Sequence, residues 1–312
     1  MAADGVASIG ECMLELSGQA GPNWRMGFAG DTFNTLWALH ALSGERPATY
    51  VSIGIGASPV IPGARPGLYA ITLTGAERAF TYWRSDAAAR RLASDPAALA
   101  KSLENQALVY FSGITLAILD AAARKTLLAE VAKARAAGSL VAFDPNYRPR
   151  LWQSREEAQA AILDALAVAD IALPTFPDEQ MLFGDSAPQA TAERFGKLVG
   201  EVVVKNGEEP ALIATGGALQ PVPAQHVATP VDTTGAGDSF NGGYLAARLA
   251  GHAPADAVQR AHRVAAAVVQ VRGAAGHAPA DAVQRAHRVA AAVVQVRGAL
   301  APFEVLRTAF EG

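Results

Sequence analysis

The chain has 312 residues, and its 26 lysines and arginines against 29 aspartates and glutamates leave a formal charge of −3. A hydrophobic fraction of 51% with 18% charged residues excludes a disordered polyelectrolyte, and the lack of a dense basic block argues against nucleic acid or an anionic membrane as the main partner. With one cysteine, no secretion-signal pattern and no apolar run near the ~20 residues of a membrane span, the chain is expected to be globular and cytoplasmic.

Strand-like and helical stretches alternate along most of the chain. Apolar, β-branched runs predict strands at 6–11, 49–54, 107–113, 139–144, 170–174, 201–207 and 211–215. Amphipathic patterns between many of them predict helices over 32–43, 117–137, 155–169 and 191–200. This alternation predicts an α/β fold with a mostly parallel sheet covered on both faces, whose ligands gather at the carboxyl ends of the strands.

Residues 68–83 follow a different pattern, which predicts a β-hairpin. Two strand-like runs flank a turn at 74–77. Because an isolated hairpin is marginally stable in water, we expect it to pack on the main body or on another subunit. Our interpretation is a small β lid over the active site, formed by about 11–29 and 65–86, and an extension of the sheet edge is the alternative.

A tandem repeat of 25 residues occupies 250–274 and 275–299 without a single change. Two copies are too few for a repeat fold, so the pattern indicates a recent duplication or a sequence error. Each copy predicts one amphipathic helix, with Pro254 in the first turn and Gly273 at the end of the first copy. The histidines lie beside arginines, which favours a solvated helix face over a metal site.

Residues 231–243 carry the strongest chemical signal. Glycines let the backbone approach an anion closely, and a helix that begins near Gly237 directs unpaired N–H groups at it. Asp238 lies in the first turn of this helix, where its carboxylate can accept a proton from a substrate hydroxyl. Meanwhile the amides of Gly235, Ala236 and Gly237 can hold a phosphoryl group. The alternative is an ordinary helix start with a favourable first-turn aspartate.

The string DTTGAGDSF at 232–240 resembles the signature of the ribokinase-like (PfkB) carbohydrate kinases. Further segments resemble the branch of this family that acts on the sugar acid 2-keto-3-deoxygluconate, and in chain order they span 10–11, 29–35, 78–85, 111–116 and 143–152. The resemblance covers nearly the whole chain. It implies one kinase domain over 1–312, a ribokinase-like three-layer αβα fold with a mostly parallel central sheet and a small β lid, and ATP and Mg²⁺ as cofactors.

The resemblance also implies roles for individual residues. Asp238 is the expected general base on the terminal hydroxyl of the substrate, and two arginines suit a sugar acid because a guanidinium fork matches a carboxylate. The residues expected to bind the substrate are Gly30, Asp31, Asn34, Tyr69, Tyr82, Arg84 and Arg148. Those expected to bind the nucleotide are Thr175, Lys205, Gly207, Gly235 and Gly237. Asp178 and Glu179 are expected to hold Mg²⁺ through water.

Departures from the family pattern and alternative functions stay open. The segment after Gly56 lacks about one helix and one strand before the hairpin, which leaves a smaller central sheet or a sequence error as explanations. The duplicated segment restores a similar length near the other end. The alternatives are a fructokinase-like or ribokinase-like enzyme and an inactive protein that binds a sugar or a nucleotide. Edges and apolar side chains of the lid favour a homo-oligomer formed through it.

Overall fold

The computed structural model describes residues 3–18, 24–53, 61–74, 77–270 and 303–311. Within these ranges the chain forms two sheets and ten α-helices. The strands are β1 (Gly5–Ile9), β2 (Met13–Gly18), β3 (Arg25–Ala29), β4 (Ala48–Val51), β5 (Leu68–Thr74), β6 (Glu77–Trp83), β7 (Gln106–Ser112), β8 (Leu140–Asp144), β9 (Ile171–Ala172), β10 (Glu201–Val204), β11 (Ala211–Thr215) and β12 (Ala218–Val222). The helices are α1 (Asp31–Leu42), α2 (Pro96–Ser102), α3 (Gly113–Ala117), α4 (Ala121–Ala136), α5 (Arg155–Leu166), α6 (Phe176–Phe183), α7 (Pro188–Phe195), α8 (Ala236–Leu249), α9 (Pro254–Val269) and α10 (Phe303–Glu311).

The larger sheet has eight strands in the order β12-β11-β10-β9-β8-β7-β1-β4. The six strands from β10 to β4 are parallel, and β11 and β12 extend the sheet with antiparallel pairs. The fold is therefore the expected α/β architecture, with a mostly parallel central sheet. All seven predicted main-sheet strands are present, although β9 is only two residues long.

Alternate residues of the central strands enter two separate cores, as strand geometry requires. Phe111 and Phe143 belong to the core that lies between one face of the sheet and helices α4, α5 and α7. Their neighbours Tyr110 and Ala142 belong to the core on the other face, with residues of α8 and α9. Helices thus cover both faces of the sheet, which gives three layers.

The smaller sheet has four strands in the order β3-β2-β5-β6. The predicted hairpin forms its β5–β6 pair, while β2 pairs with β3 in antiparallel and with β5 in parallel orientation. Tyr69 and Tyr82 are directly paired across the hairpin, so their side chains share one face, as expected if the register permitted it. The turn residues 75–76 lie outside the described residues.

Several helix boundaries differ from those predicted. The predicted helix over 117–137 corresponds to α4, which begins only at Ala121 because Asp120 is its N-cap and accepts a hydrogen bond from the Ala123 backbone N–H. The short helix α3 ends before it, at Ala117. The predicted helix over 191–200 begins earlier, at Pro188, because proline occupies its first turn, and it ends at Phe195 before Gly196. Pattern reading missed α2 and α6 because both are only seven or eight residues long.

The first copy of the repeat forms the predicted amphipathic helix, α9, with Pro254 in its first turn and Val258 and Val264 buried. The helix ends at Val269, before Gly273. The expected solvated histidine face is wrong for His262, because α9 packs on α8 and buries His262 edge-on against Phe240. The second copy, 275–299, lies outside the described residues, as does the segment 54–60.

Within the described ranges, helices long and apolar enough to span a bilayer are absent.

Candidate active site

Two helix N-termini meet at the carboxyl edge of the large sheet. Helix α1 begins at Asp31 after Gly30, and α8 begins at Ala236 after Gly235. The Asn34 side-chain amide of α1 donates a 2.8 Å hydrogen bond to the Asp238 carboxylate of α8. The structure therefore places the candidate sugar-binding residues next to the candidate base.

Close packing of α1 and α8 maintains this juxtaposition. A Cβ atom at Gly242 would lie 2.6 Å from the Ala38 Cβ and 2.7 Å from the Thr35 carbonyl oxygen. Only glycine at this position lets the two helices approach so closely, because such distances are well inside van der Waals contact. The glycine that follows the DTTGAGDSF string thus positions Asn34 and Asp238 relative to each other.

The environment of Asp238 suits proton transfer near neutral pH. Burial raises the pKa of Asp238 to about 7, and the negative charge of Asp31 contributes in the same direction. The hydrogen bond from Asn34 favours the ionised form and opposes the rise. A carboxyl group that is partly ionised at pH 7 can both accept and release a proton.

The N-terminus of α8 has the backbone geometry on which the predicted anion site depends. Gly235 adopts a left-handed conformation with φ of 75°, which favours glycine, and it offers no side chain to cap the helix. The first-turn N–H groups of an α-helix lack intrahelical acceptors. A Cβ atom at Gly237 would meet no described atom within 4 Å. The site thus has open space beside the helix N-terminus, where a phosphate group can accept these hydrogen bonds.

Beneath Asp238 lies a buried polar network that pattern reading did not reveal. The Lys205 ammonium group, in a residue only 8% exposed, donates to the Asp144 carboxylate at 2.7 Å and to the Asn241 side-chain oxygen at 3.1 Å. Asn241 in turn donates to Asp144 at 2.7 Å. Lys205, expected at the nucleotide, therefore has internal partners that tie β10, β8 and α8 together. Asp144 lies in the segment 143–152 that resembles the family, but it is not among the residues expected to bind substrate or nucleotide.

A second pair links α1 to the end of β8. The Asn146 side-chain amide donates a 2.8 Å hydrogen bond to the Asp31 carboxylate. The charge of Asp31 acts on the pKa values of Glu11, Arg148 and Asp238 alike, so Asp31 lies at the centre of the candidate site.

Both candidate arginines have carboxylate partners within the protein. Arg84, the residue after β6, donates through Nη2 to the buried Glu11 carboxylate. Arg148 donates to Asp178 at 3.0 Å in a pair that is far more exposed, with side-chain exposures of 49% and 19%. Burial raises the pKa of Tyr82, while the charges of Arg84, Arg148 and Arg150 lower it.

The remaining predicted residues lie around this centre. The Tyr69 hydroxyl donates to the Glu15 carboxylate, and the Tyr69 and Tyr82 rings are 5.7 Å apart. Thr175 and Lys205 form a parallel bridge between the ends of β9 and β10, close to Gly207. Gly207 has a φ of 62°.

The two residues expected at a metal differ in access. Glu179 is 0% exposed and accepts a 3.0 Å hydrogen bond from Arg194, whereas Asp178 faces Arg148 and stays partly exposed. Among the described residues, no group of three His, Cys, Asp or Glu side chains lies close enough together to hold a metal ion. Asp178 is therefore the more accessible candidate for contact with a hydrated Mg²⁺ ion, which keeps several of its waters.

Comparisons with known proteins identify relatives of this chain. The profile of the pfkB family carbohydrate kinases matches residues 51–280, a segment that contains Asp238 and both candidate arginines. The 2-dehydro-3-deoxygluconokinase of Dickeya dadantii (strain 3937) is 41% identical over 302 residues, which cover 88% of this chain and 97% of that protein. The crystal structure of 2-dehydro-3-deoxygluconokinase from Thermotoga maritima has a TM-score of 0.76 at 20% identity, over 98% of this chain and 99% of that one. An uncharacterized sugar kinase from Pyrococcus horikoshii in complex with ATP has a TM-score of 0.70 at 22% identity, over 86% and 93% of the two chains.

Proposed function

Because this chain belongs to the pfkB family of carbohydrate kinases, we propose that it transfers the γ-phosphoryl group of ATP to the terminal hydroxyl of 2-keto-3-deoxygluconate. The observation that carries this proposal is the position of Asp238. Its carboxyl lies at the N-terminus of α8, is bonded to Asn34, and has a pKa raised by burial to about 7.

Asp238 acts as the general base in this proposal. It takes the proton of the substrate hydroxyl while that oxygen forms a bond to the γ-phosphorus, and the bond from phosphorus to the bridging oxygen breaks to release ADP. The amides of Gly235, Ala236 and Gly237 stabilise the charge on the transferring group. Such positioning and charge stabilisation account for most of the catalysis in phosphoryl transfer.

The sugar acid is held from two sides. Gly30, Asp31 and Asn34 bind its hydroxyl groups, and Tyr69 and Tyr82 line the lid side. The carboxylate is bound by Arg84 and Arg148, whose planar guanidinium groups match the geometry of a carboxylate.

ATP and Mg²⁺ complete the reaction. Thr175, Gly207 and the α8 amides bind the nucleotide, while Lys205 supports them through Asp144 and Asn241. The open space at Gly237 fits a phosphate group. A Mg²⁺ ion would neutralise phosphate charge there, and Asp178 would hold it through water.

Coupled ADP release tests the proposal, with 2-keto-3-deoxygluconate compared against ribose, fructose and adenosine at matched concentrations. We expect the highest kcat/KM with the sugar acid. Equal or faster turnover of a neutral sugar would instead indicate a fructokinase-like or ribokinase-like enzyme. Calorimetric binding of sugar or nucleotide without turnover would indicate an inactive homologue.

We also propose a homo-oligomer formed through the small sheet. The pairing register places Met26, Leu16, Leu68 and Trp83 on the face opposite Tyr69 and Tyr82. Met26 and Trp83 are more than half exposed, which is a large apolar surface for a monomer. Light scattering is expected to give at least a dimer, and Met26→Glu should shift it toward monomer. Leu198→Glu, at an exposed apolar residue of the main body, is the matched control. A monomeric wild type would refute the proposal.

A further inference from the structure

The link between the two sheets contains a buried carboxylate that is not part of the proposed catalytic or binding residues. Glu11 lies between β1 and β2 and is 3% exposed. Its Oε2 accepts a hydrogen bond from Nη2 of Arg84, which follows the last strand of the small sheet. The pair therefore joins the carboxyl end of a central strand to the end of the candidate lid.

Two glycines make room for Glu11. A Cβ atom at Gly30 would lie 2.1 Å from the Glu11 carbonyl oxygen, and one at Gly67 would lie 2.5 Å from its Oε1. Gly30 is also the N-cap of α1, so the backbone of Glu11 is held against the helix that carries Asp31 and Asn34. This packing leaves the Glu11 side chain little freedom.

The pair is poorly suited to a purely stabilising role. Burying two charges usually costs as much free energy as their attraction returns. In addition, Glu11 Oε1 and Arg84 Nε are both buried without a hydrogen-bond partner among the described residues. An ion pair optimised for stability would engage these two atoms in a bidentate fork. The Arg84 side chain nevertheless stays 11% exposed, so part of its guanidinium group can still meet another acceptor.

We propose that Glu11 is a positioning residue that fixes the Arg84 guanidinium to receive the carboxylate of the sugar acid. This inference rests on the proposed function. Glu11 touches neither substrate nor nucleotide in it, since its free oxygen is occluded beside Gly67. Its effect passes through Arg84, whose charge, like that of Arg148, acts on Tyr82. The rigid anchor makes Arg84 the fixed half of the carboxylate site.

The test is a pair of single variants and their double, assayed by ADP release. Glu11→Gln retains size and one acceptor but loses the charge that anchors Arg84. We expect KM for the sugar acid to rise about tenfold or more, because small misplacements of a binding group have large effects, while KM for ATP stays unchanged. Glu11→Asp retains the charge and is expected to recover part of the loss.

The double variant Glu11→Gln/Arg84→Met distinguishes positioning from general destabilisation. If Glu11 acts through Arg84, the double variant has the same KM as Arg84→Met alone, and the two effects do not multiply. The double variant also leaves no unpaired charge buried, so its folding shows whether any failure of Arg84→Met to fold comes from the unpaired Glu11 carboxylate.

Glu201→Gln is the matched control. Glu201 forms another buried pair, with Arg248 at the far end of α8, and its loss should leave both KM values unchanged.

The outcomes separate this inference from the proposed function. If the wild type does not phosphorylate the sugar acid, the proposed function fails and the inference with it. If the wild type does so but Glu11→Gln keeps its KM, or the effects of Glu11→Gln and Arg84→Met multiply, only the inference is overturned. A lower KM in Glu11→Gln would also overturn it, because Glu11 would then compete with the substrate for Arg84.

Discussion

Replacing Asp238 with asparagine is expected to stabilise the protein while it removes the activity. Asparagine retains a side-chain oxygen that can accept the hydrogen bond from Asn34 but cannot ionise. Phosphoryl transfer should fall by about 10²- to 10⁴-fold, the usual contribution of a general base, with KM for ATP unchanged.

The magnitude of the stabilisation follows from the pKa. Burial raises the pKa of Asp238 from an ordinary value of 3.8 to about 7. Because this folded-state value lies above the unfolded one, the stability contributed by the protonated group is complete below pH 3.8 and is lost as the pH rises through 7. At roughly 1.4 kcal/mol per pKa unit, ionisation in the folded state costs at most about 4 kcal/mol at pH 8. The carboxyl is partly exposed and therefore screened, so we expect about 2 kcal/mol, or a rise in Tm of the order of 5 °C.

Thermal unfolding of the wild type and Asp238→Asn between pH 4 and 8 measures this difference. The advantage of the variant should be near zero at pH 4, grow up to pH 7 and stay constant above it. Asp164→Asn, at an exposed position of α5, should show no such growth. A difference that is independent of pH would refute the raised pKa, and near-normal turnover would show that another base acts.

Three further predictions follow from the same contacts. The pH profile of kcat/KM should rise around pH 7, and Asp31→Asn should move it to lower pH because the charge of Asp31 raises the pKa of Asp238; an unmoved profile would contradict this coupling. Asp178→Asn frees the exposed Arg148 guanidinium, so KM for the sugar acid should fall by up to about fivefold, since an exposed ion pair contributes at most about 1 kcal/mol; a higher KM would show that Asp178 assists substrate binding. Deleting 275–299 should leave Tm and kcat/KM unchanged. Arg260 and Arg263 donate to backbone carbonyls at the end of α10, and Leu306 of α10 packs with Val264 and Val268, so α10 lies against α9. After the deletion, the five residues 270–274 plus three, 300–302, give an eight-residue connection within the usual range of about 2–8. Loss of the folded state would show that the second copy is required.

Local sequence patterns were sufficient to predict the parallel strands of the large sheet and the hairpin of the small one. Periodicity predicted the parallel strands and the hairpin because one face or both faces of each strand are buried, and buried positions carry apolar residues at a regular spacing. Local patterns also select Asp238 as the candidate base, because a helix start and its glycines point to it without any knowledge of distant residues.

The partners of the charged side chains could not be predicted in this way. Glu11 and Arg84 are 73 residues apart in sequence, and Lys205 and Asp144 are 61 apart. Whether two such groups meet depends on how the sheets and helices pack, which has no local period. The burial of His262 is a similar case, because it depends on the contact between α9 and α8.

These pairings determine how the site can accept an anion. Arg84, Arg148 and Lys205 each already have a protein carboxylate as partner, so an acidic substrate gains little from their net charge. The substrate carboxylate must instead replace the protein carboxylate at one of these cations or share the cation with it. Breaking the exposed pair of Arg148 costs about 1 kcal/mol or less, whereas separating the buried pair of Arg84 would leave Glu11 charged in the interior at a cost of several kcal/mol. In the proposed function, Arg148 is therefore the arginine that changes partners when the substrate binds, and Arg84 receives the substrate with its own partner still in place.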